Sequence, residues 1–106
     1  MNKHFKIPGE QIKILIEDMG GCYASDKIVV DGEPIGYMYR EESEDEWDSG
    51  WRFLSGTESD EYVNDPEHVG IYKVNTVANY DPSILPLLKI PAPCAFAKVG
   101  GVFQAE

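Results

Sequence analysis

Charge in this chain is confined to one stretch. Residues 41–69 carry eleven acidic side chains and a single basic one, Arg52, and so hold the whole formal charge of −10; the other eight acids and eight bases cancel. Within it, residues 41–49 are acidic at six of nine positions. Mutual repulsion and the cost of desolvating carboxylates keep such a run out of any core. It must be a solvated excursion, and the fold has to be assembled from the near-neutral sequence on either side. In a chain of 106 residues that is enough for one domain with a modest core. A hydrophobic content of 42% argues against disorder of the whole chain. The field of the acidic stretch repels nucleic-acid phosphates and anionic membrane surfaces and attracts a basic protein or a cation.

Around the excursion the pattern predicts α+β architecture: a small antiparallel sheet with one or two short helices packed on one side. Residues 8–19 fit two templates. Ile12, Leu15, Ile16 and Met19 make a helical face, whereas Ile12, Ile14 and Ile16 alternate as in a strand; Pro8 and Gly20-Gly21 favour a short helix. Residues 22–24 and the β-branched residues 27–30 read as strands, with a turn at Ser25-Asp26. Asp31-Gly32 is a second turn signal. Residues 35–40 are the clearest strand, with Ile35, Tyr37 and Tyr39 on one face and Gly36, Met38 and Arg40 on the other. Residues 51–54 pair with it as a long hairpin whose tip is acidic. After a polar stretch in which Tyr62 and Val63 are the anchors, residues 69–74 read as a strand. Asp81-Pro82 starts a helical turn or two, limited by Pro86 and ended by Pro91 and Pro93. Residues 94–99 form a last strand, and Gly100-Gly101 leads into a tail.

Chemistry-bearing motifs are scarce. The sequence contains no nucleophile elbow, phosphate-cradling glycine loop or metalloprotease helix. His4 and His68 are the only histidines, and pairing either cysteine, Cys22 or Cys94, with His68 as nucleophile and base has nothing in the sequence to support it. The cysteines lack zinc-type spacing and are most simply free thiols, with a disulfide as the alternative. The basic start is not followed by a long apolar stretch and a small-residue cleavage site, so the expected compartment is the cytoplasm. Calcium is the obvious ligand for clustered carboxylates. With Asp45 at position 1 of a calcium loop, Gly50 falls correctly at position 6, but Trp47 stands at position 3 and Gly56 at position 12, where oxygen ligands are required. No cofactor, metal site or catalytic residue is expected.

What remains is recognition. The candidate binding surface comprises Glu41, Glu42, Glu44, Asp45, Glu46, Trp47 and Asp48, with Glu58, Asp60 and Glu61 in support. Trp47 is the telling residue: an indole amid six acids is costly to expose and useful to bury on a partner. Its alternative place is folded back on the sheet beside Trp51. A solubilising role is the competing reading of the loop. Arg40 and Arg52 bracket it and either neutralise its base or stack on neighbouring aromatics.

Several ordered strings resemble the immunity protein 33 family: Ile35-Gly36-Tyr37-Met38-Tyr39-Arg40-Glu41-Glu42, Asp48-Ser49-Gly50-Trp51-Arg52-Phe53 with Ser55-Gly56, and Asn75-Thr76-Val77-Ala78-Asn79-Tyr80-Asp81-Pro82-Ser83-Ile84, together with Ser25-Asp26 and Asp31-Gly32. The resemblance runs from about Gly21 to about Phe96. It leaves residues 1–20 as an N-terminal extension to a core over 21–99, and residues 100–106 as a tail. It implies a small α+β protein of bacterial polymorphic-toxin systems that neutralises a toxin by binding it, with no catalytic residues. The expected partner is therefore a basic protein toxin, neither nucleic acid nor membrane. A regulatory or scaffold module, or a weak calcium binder, is the alternative.

Overall fold

A computed structural model describes residues 4–106. Among these residues six strands form one sheet in the order β4-β1-β3-β2-β5-β6: β1 (Gly21–Ser25), β2 (Tyr37–Arg40), β3 (Asp48–Leu54), β4 (Val69–Lys73), β5 (Cys94–Val99) and β6 (Val102–Ala105). The α+β class holds, but the sheet is mixed rather than antiparallel. β1 runs parallel to its neighbour β3, and every other pair is antiparallel. The expected hairpin is present: β2 and β3 pair from Tyr37↔Leu54 to Arg40↔Trp51, with the acidic residues at the tip.

Three short α-helices, α1 (Asp26–Val29), α2 (Asp60–Asn64) and α3 (Val74–Tyr80), join 3-10 turns at Gly9–Gln11, Pro66–His68 and Pro82–Leu87. Residues 27–30, read as a strand, instead lie mostly in α1. The Ser25 hydroxyl accepts from the Lys27 amide at 3.1 Å and caps the turn, so local capping overrides β-branched preference. Strand β4 ends at Lys73, and α3 begins directly after it.

One face of the sheet carries the core. Cys22, Ala24, Met38, Trp51, Phe53 and Phe96 are buried there against Ile28 and Val29 of α1, Val74, Val77 and Ala78 of α3, and Ile84 and Leu88. Trp51 and Phe53 stack at 5.9 Å, and the buried Trp51 Nε1 donates to the Leu88 carbonyl at 3.1 Å, so the indole is satisfied as well as packed. Ile35 is buried, and its amide donates to Asp81. It precedes β2 and does not share the half-exposed face of Tyr37 and Tyr39.

The N-terminal stretch is a strap rather than a helix. Beyond the single turn at Gly9–Gln11, residues 12–19 are irregular, and residues 1–3 of the presumed extension lie outside the described residues. Two side chains one helical turn apart on α3 hold the strap. Asn75 accepts from the Leu15 amide at 2.7 Å, Asn79 accepts from the Lys13 amide at 2.9 Å, and both side-chain amides donate to the Lys13 carbonyl. Each carboxamide stands in for a neighbouring strand's peptide. At the other end, the residues read as a tail form β6, turned back on β5 by Gly100 and Gly101, both at positive φ. Among the described residues no helix is long and apolar enough to cross a membrane.

Candidate protein-binding surface

The acidic tip is fastened to the fold at its base. The Arg52 guanidinium donates to both Asp48 oxygens at 2.9 and 2.8 Å and to Glu41 at 2.9 Å, and lies 4.5 Å from the Tyr23 ring centroid. The Arg52 hydrogen bond holds the Asp48 carboxyl well below the usual carboxylate range, against the opposing effect of burial. Gly50 closes the loop from beneath, at φ +90°; its carbonyl accepts from the Glu41 amide at 3.0 Å, and a Cβ there would come 2.1 Å from the Glu41 oxygen. Arg40 is engaged elsewhere, donating to the Ser49 and Ile90 carbonyls at 2.9 Å and lying over the Trp51 ring. Both arginines are thus structural, and Arg52 fulfils both of its expected roles.

Above that base, Glu42, Glu44, Asp45 and Glu46 are exposed. Trp47 does not reach Trp51, which is buried on the opposite side of the sheet. Its carbonyl accepts from the Gly21 amide, its ring rests where a Gly21 Cβ would stand, and it meets Tyr23 edge-on at 6.3 Å. It remains 44% exposed, so the indole is positioned by the sheet while offering much of its surface outward.

The structure divides the predicted surface. Asp48 is internal, with its side chain 5% exposed, and Glu41 is tied to Arg52. Glu58 accepts from the Ser55 and Gly56 amides at 2.8 and 2.9 Å and so fixes the turn after β3. Burial would raise its pKa, but hydrogen bonding, from Ser25 and the Ser55 amide foremost, holds it below its ordinary value. Asp60 and Glu61 are exposed in the first turn of α2. These two follow the turn at the other end of β3, a seven-residue strand, from the loop. The loop and α2 form two acidic borders, not one cluster.

Between the borders lies the sheet face opposite the core, which sequence reasoning left out of the site. Alternation along the strands puts Tyr23, Tyr37, Tyr39, Arg52 and Ile71 on it. The Tyr37 and Tyr39 pairing was legible; its surroundings required the strand order. At one margin Val63 of α2 joins Tyr23, Tyr39, Arg52, Leu54 and Val69 around a pocket of about 270 Å³.

Nucleophilic and metal chemistry find little here. Cys22 and Cys94 are both free, and burial pushes the Cys22 thiol far above its ordinary pKa, so it is protonated and inert. His68 stacks on Tyr62 at 4.1 Å, with Nδ1 3.3 Å from the Tyr62 carbonyl. His4 is exposed. Among the described residues no three His, Cys, Asp or Glu side chains are placed to hold a metal ion together. Compared with known proteins, residues 22–103 match the family model described as the immunity protein Imm33 domain. That match reaches into the first two residues of β6, beyond the limit expected from the sequence strings. No curated protein and no solved structure matches.

Proposed function

The chain belongs to the immunity protein Imm33 family, and on that premise we propose that it neutralises a basic protein toxin by binding it directly, without catalysis. The observation that carries this reading is the loop itself. Four exposed carboxylates and a half-exposed Trp47 are presented on a tip that Arg52, Asp48, Glu41 and Gly50 anchor to the sheet. An anchored tip loses less conformational entropy on binding than a free one. Its charge accelerates encounter with a cationic partner, and the indole supplies apolar contact once docked. Asp60 and Glu61 add to the same field from the far end of β3. Nucleic acid and anionic membrane are disfavoured partners by the same charge. The cytoplasm, where free thiols stay reduced, is the proposed compartment.

The test is co-expression with basic toxin domains from the source genome, taken one at a time. Wild type should protect the host cell and co-purify with the toxin. The Glu42→Gln/Glu44→Gln/Asp45→Asn/Glu46→Gln variant should protect poorly at matched expression. Full protection by that variant would remove the loop from the interface, and no protection by wild type would defeat the reading.

A further inference from the structure

The sheet face turned away from the core has an interface's composition in a place where solvent-facing polar residues are the norm. Tyr37 and Tyr39 stand side by side, ring centroids 5.9 Å apart. Their cross-strand neighbours on β5 are Ala97 and Ala95, too small to screen the rings. Farther across, Ile71 is 59% and Trp47 44% exposed. A one-sided sheet ordinarily alternates apolar-in with polar-out, yet here three tyrosines and Ile71 stand outward among Arg52, Lys73 and Gln104; the one exposed cation among them, Lys73, lies at the β4 margin, away from Tyr37 and Tyr39. Tyrosine, tryptophan and arginine are the residue types that dominate binding energy, and tyrosine gives large contact area at low entropic cost. The sole guanidinium in the middle, Arg52, is already neutralised by Asp48 and Glu41 and does not oppose a cationic partner.

We propose that this open face, centred on Tyr37 and Tyr39, is the docking platform for a basic protein surface, with the acidic loop and α2 as its rim. The proposal rests on the toxin-binding reading and adds to it where the lasting contact is made. Charge selects the occupant. The loop curls onto this face, since Trp47 lies on Gly21 and Glu41 bonds Arg52. Glu41 and Glu106 border the hollow beside Tyr37 and Tyr39, and Asp60 and Glu61 stand at the opposite end of β3. A second copy would bring two bodies of charge −10 together across equally acidic borders; a basic surface gains from the same borders. An apolar centre with a charged rim is the usual anatomy of a specific interface. The rim then governs how fast the complex forms, and the tyrosine face how long it lasts.

The experiment uses a toxin domain against which wild type protects, in an inactivated form, as the specific probe and poly-L-lysine as a charge-only probe. Surface plasmon resonance is run on wild type, Tyr37→Ser/Tyr39→Ser, Ala97→Arg and the loop-neutralised variant. The tyrosine variant should dissociate from the toxin about tenfold faster or more, with association changed less than about twofold and poly-L-lysine binding intact. Ala97→Arg removes no packing and places a cationic side chain on the face; it should weaken the complex equally, and it covers the case in which the serine variant does not fold. Wild-type lifetimes in both face variants, with binding lost only in the loop variant, would overturn this proposal and leave the toxin-binding function standing. No binding by wild type would defeat both. Sedimentation should find a monomer at low and high salt, and a dimer abolished by Ala97→Arg would give the face to a second copy instead.

Discussion

Arg52 links the acidic loop to the rest of the molecule. Its side chain is 12% exposed and that of its main partner, Asp48, 5%, so the pair exchanges water for a bidentate contact plus a third bond to Glu41. Replacing Asp48 by Asn leaves Glu41 as the only counter-charge and should cost about 2 kcal/mol in denaturant unfolding. The pH dependence has a definite sign. Asp48 is held ionised in the folded chain below its unfolded value, so the unfolded chain binds more protons as pH falls. Stability should therefore drop between about pH 5 and pH 2, more steeply in wild type than in Asp48→Asn. Equal slopes would show that the pair contributes nothing to acid stability. Gly50 permits a test of a different kind. Its φ of +90° and the 2.1 Å approach of the Glu41 oxygen leave no room for a side chain. Gly50→Ala should cost about 2–3 kcal/mol, read from the denaturation midpoint; a loss below about 0.5 kcal/mol would mean the loop base relaxes freely.

Among the elements, α3 positions the N-terminal strap through Asn75 and Asn79. Either residue changed to Ala should cost about 1 kcal/mol. It should also speed hydrogen exchange at the Lys13, Leu15 and Ile16 amides without touching exchange in β1 or β3. Unchanged protection would mean that packing, not these amides, holds the strap. The strap was unreadable from periodicity because its bonds go to side chains more than 50 residues away, as the Leu15–Asn75 bond does. The hairpin of β2 and β3 was legible because two alternating runs flank a segment that cannot be buried. The mixed topology was not, since a parallel β1–β3 contact leaves no mark on local sequence. Two misreadings had usable signals. Ser25-Asp26 is a helix cap as well as a turn, and Gly100-Gly101 is a hairpin turn followed by alternating Val102 and Phe103. Helix α3 had weaker ones: Asn, Thr and Val favour other states, and only burial of Val74, Val77 and Ala78 on one side stabilises it.

At the scale of the whole molecule, a packed scaffold presents charge at its borders and aromatic surface between them. The acidic half of that surface was visible in the sequence; the tyrosine half emerged only when strand order placed Tyr23, Tyr37 and Tyr39 on one face. Neutralising Glu42, Glu44, Asp45 and Glu46 should leave folding stability within about 0.5 kcal/mol, because none of these side chains anchors the fold. Its effect belongs to binding. The most direct measurement is the association rate with the inactivated toxin domain, followed across a salt series for wild type and for this variant. The wild-type rate should fall steeply as salt rises, and the variant should start about tenfold slower or more with a much flatter dependence. Equal rates and equal slopes would contradict toxin recognition through the acidic loop.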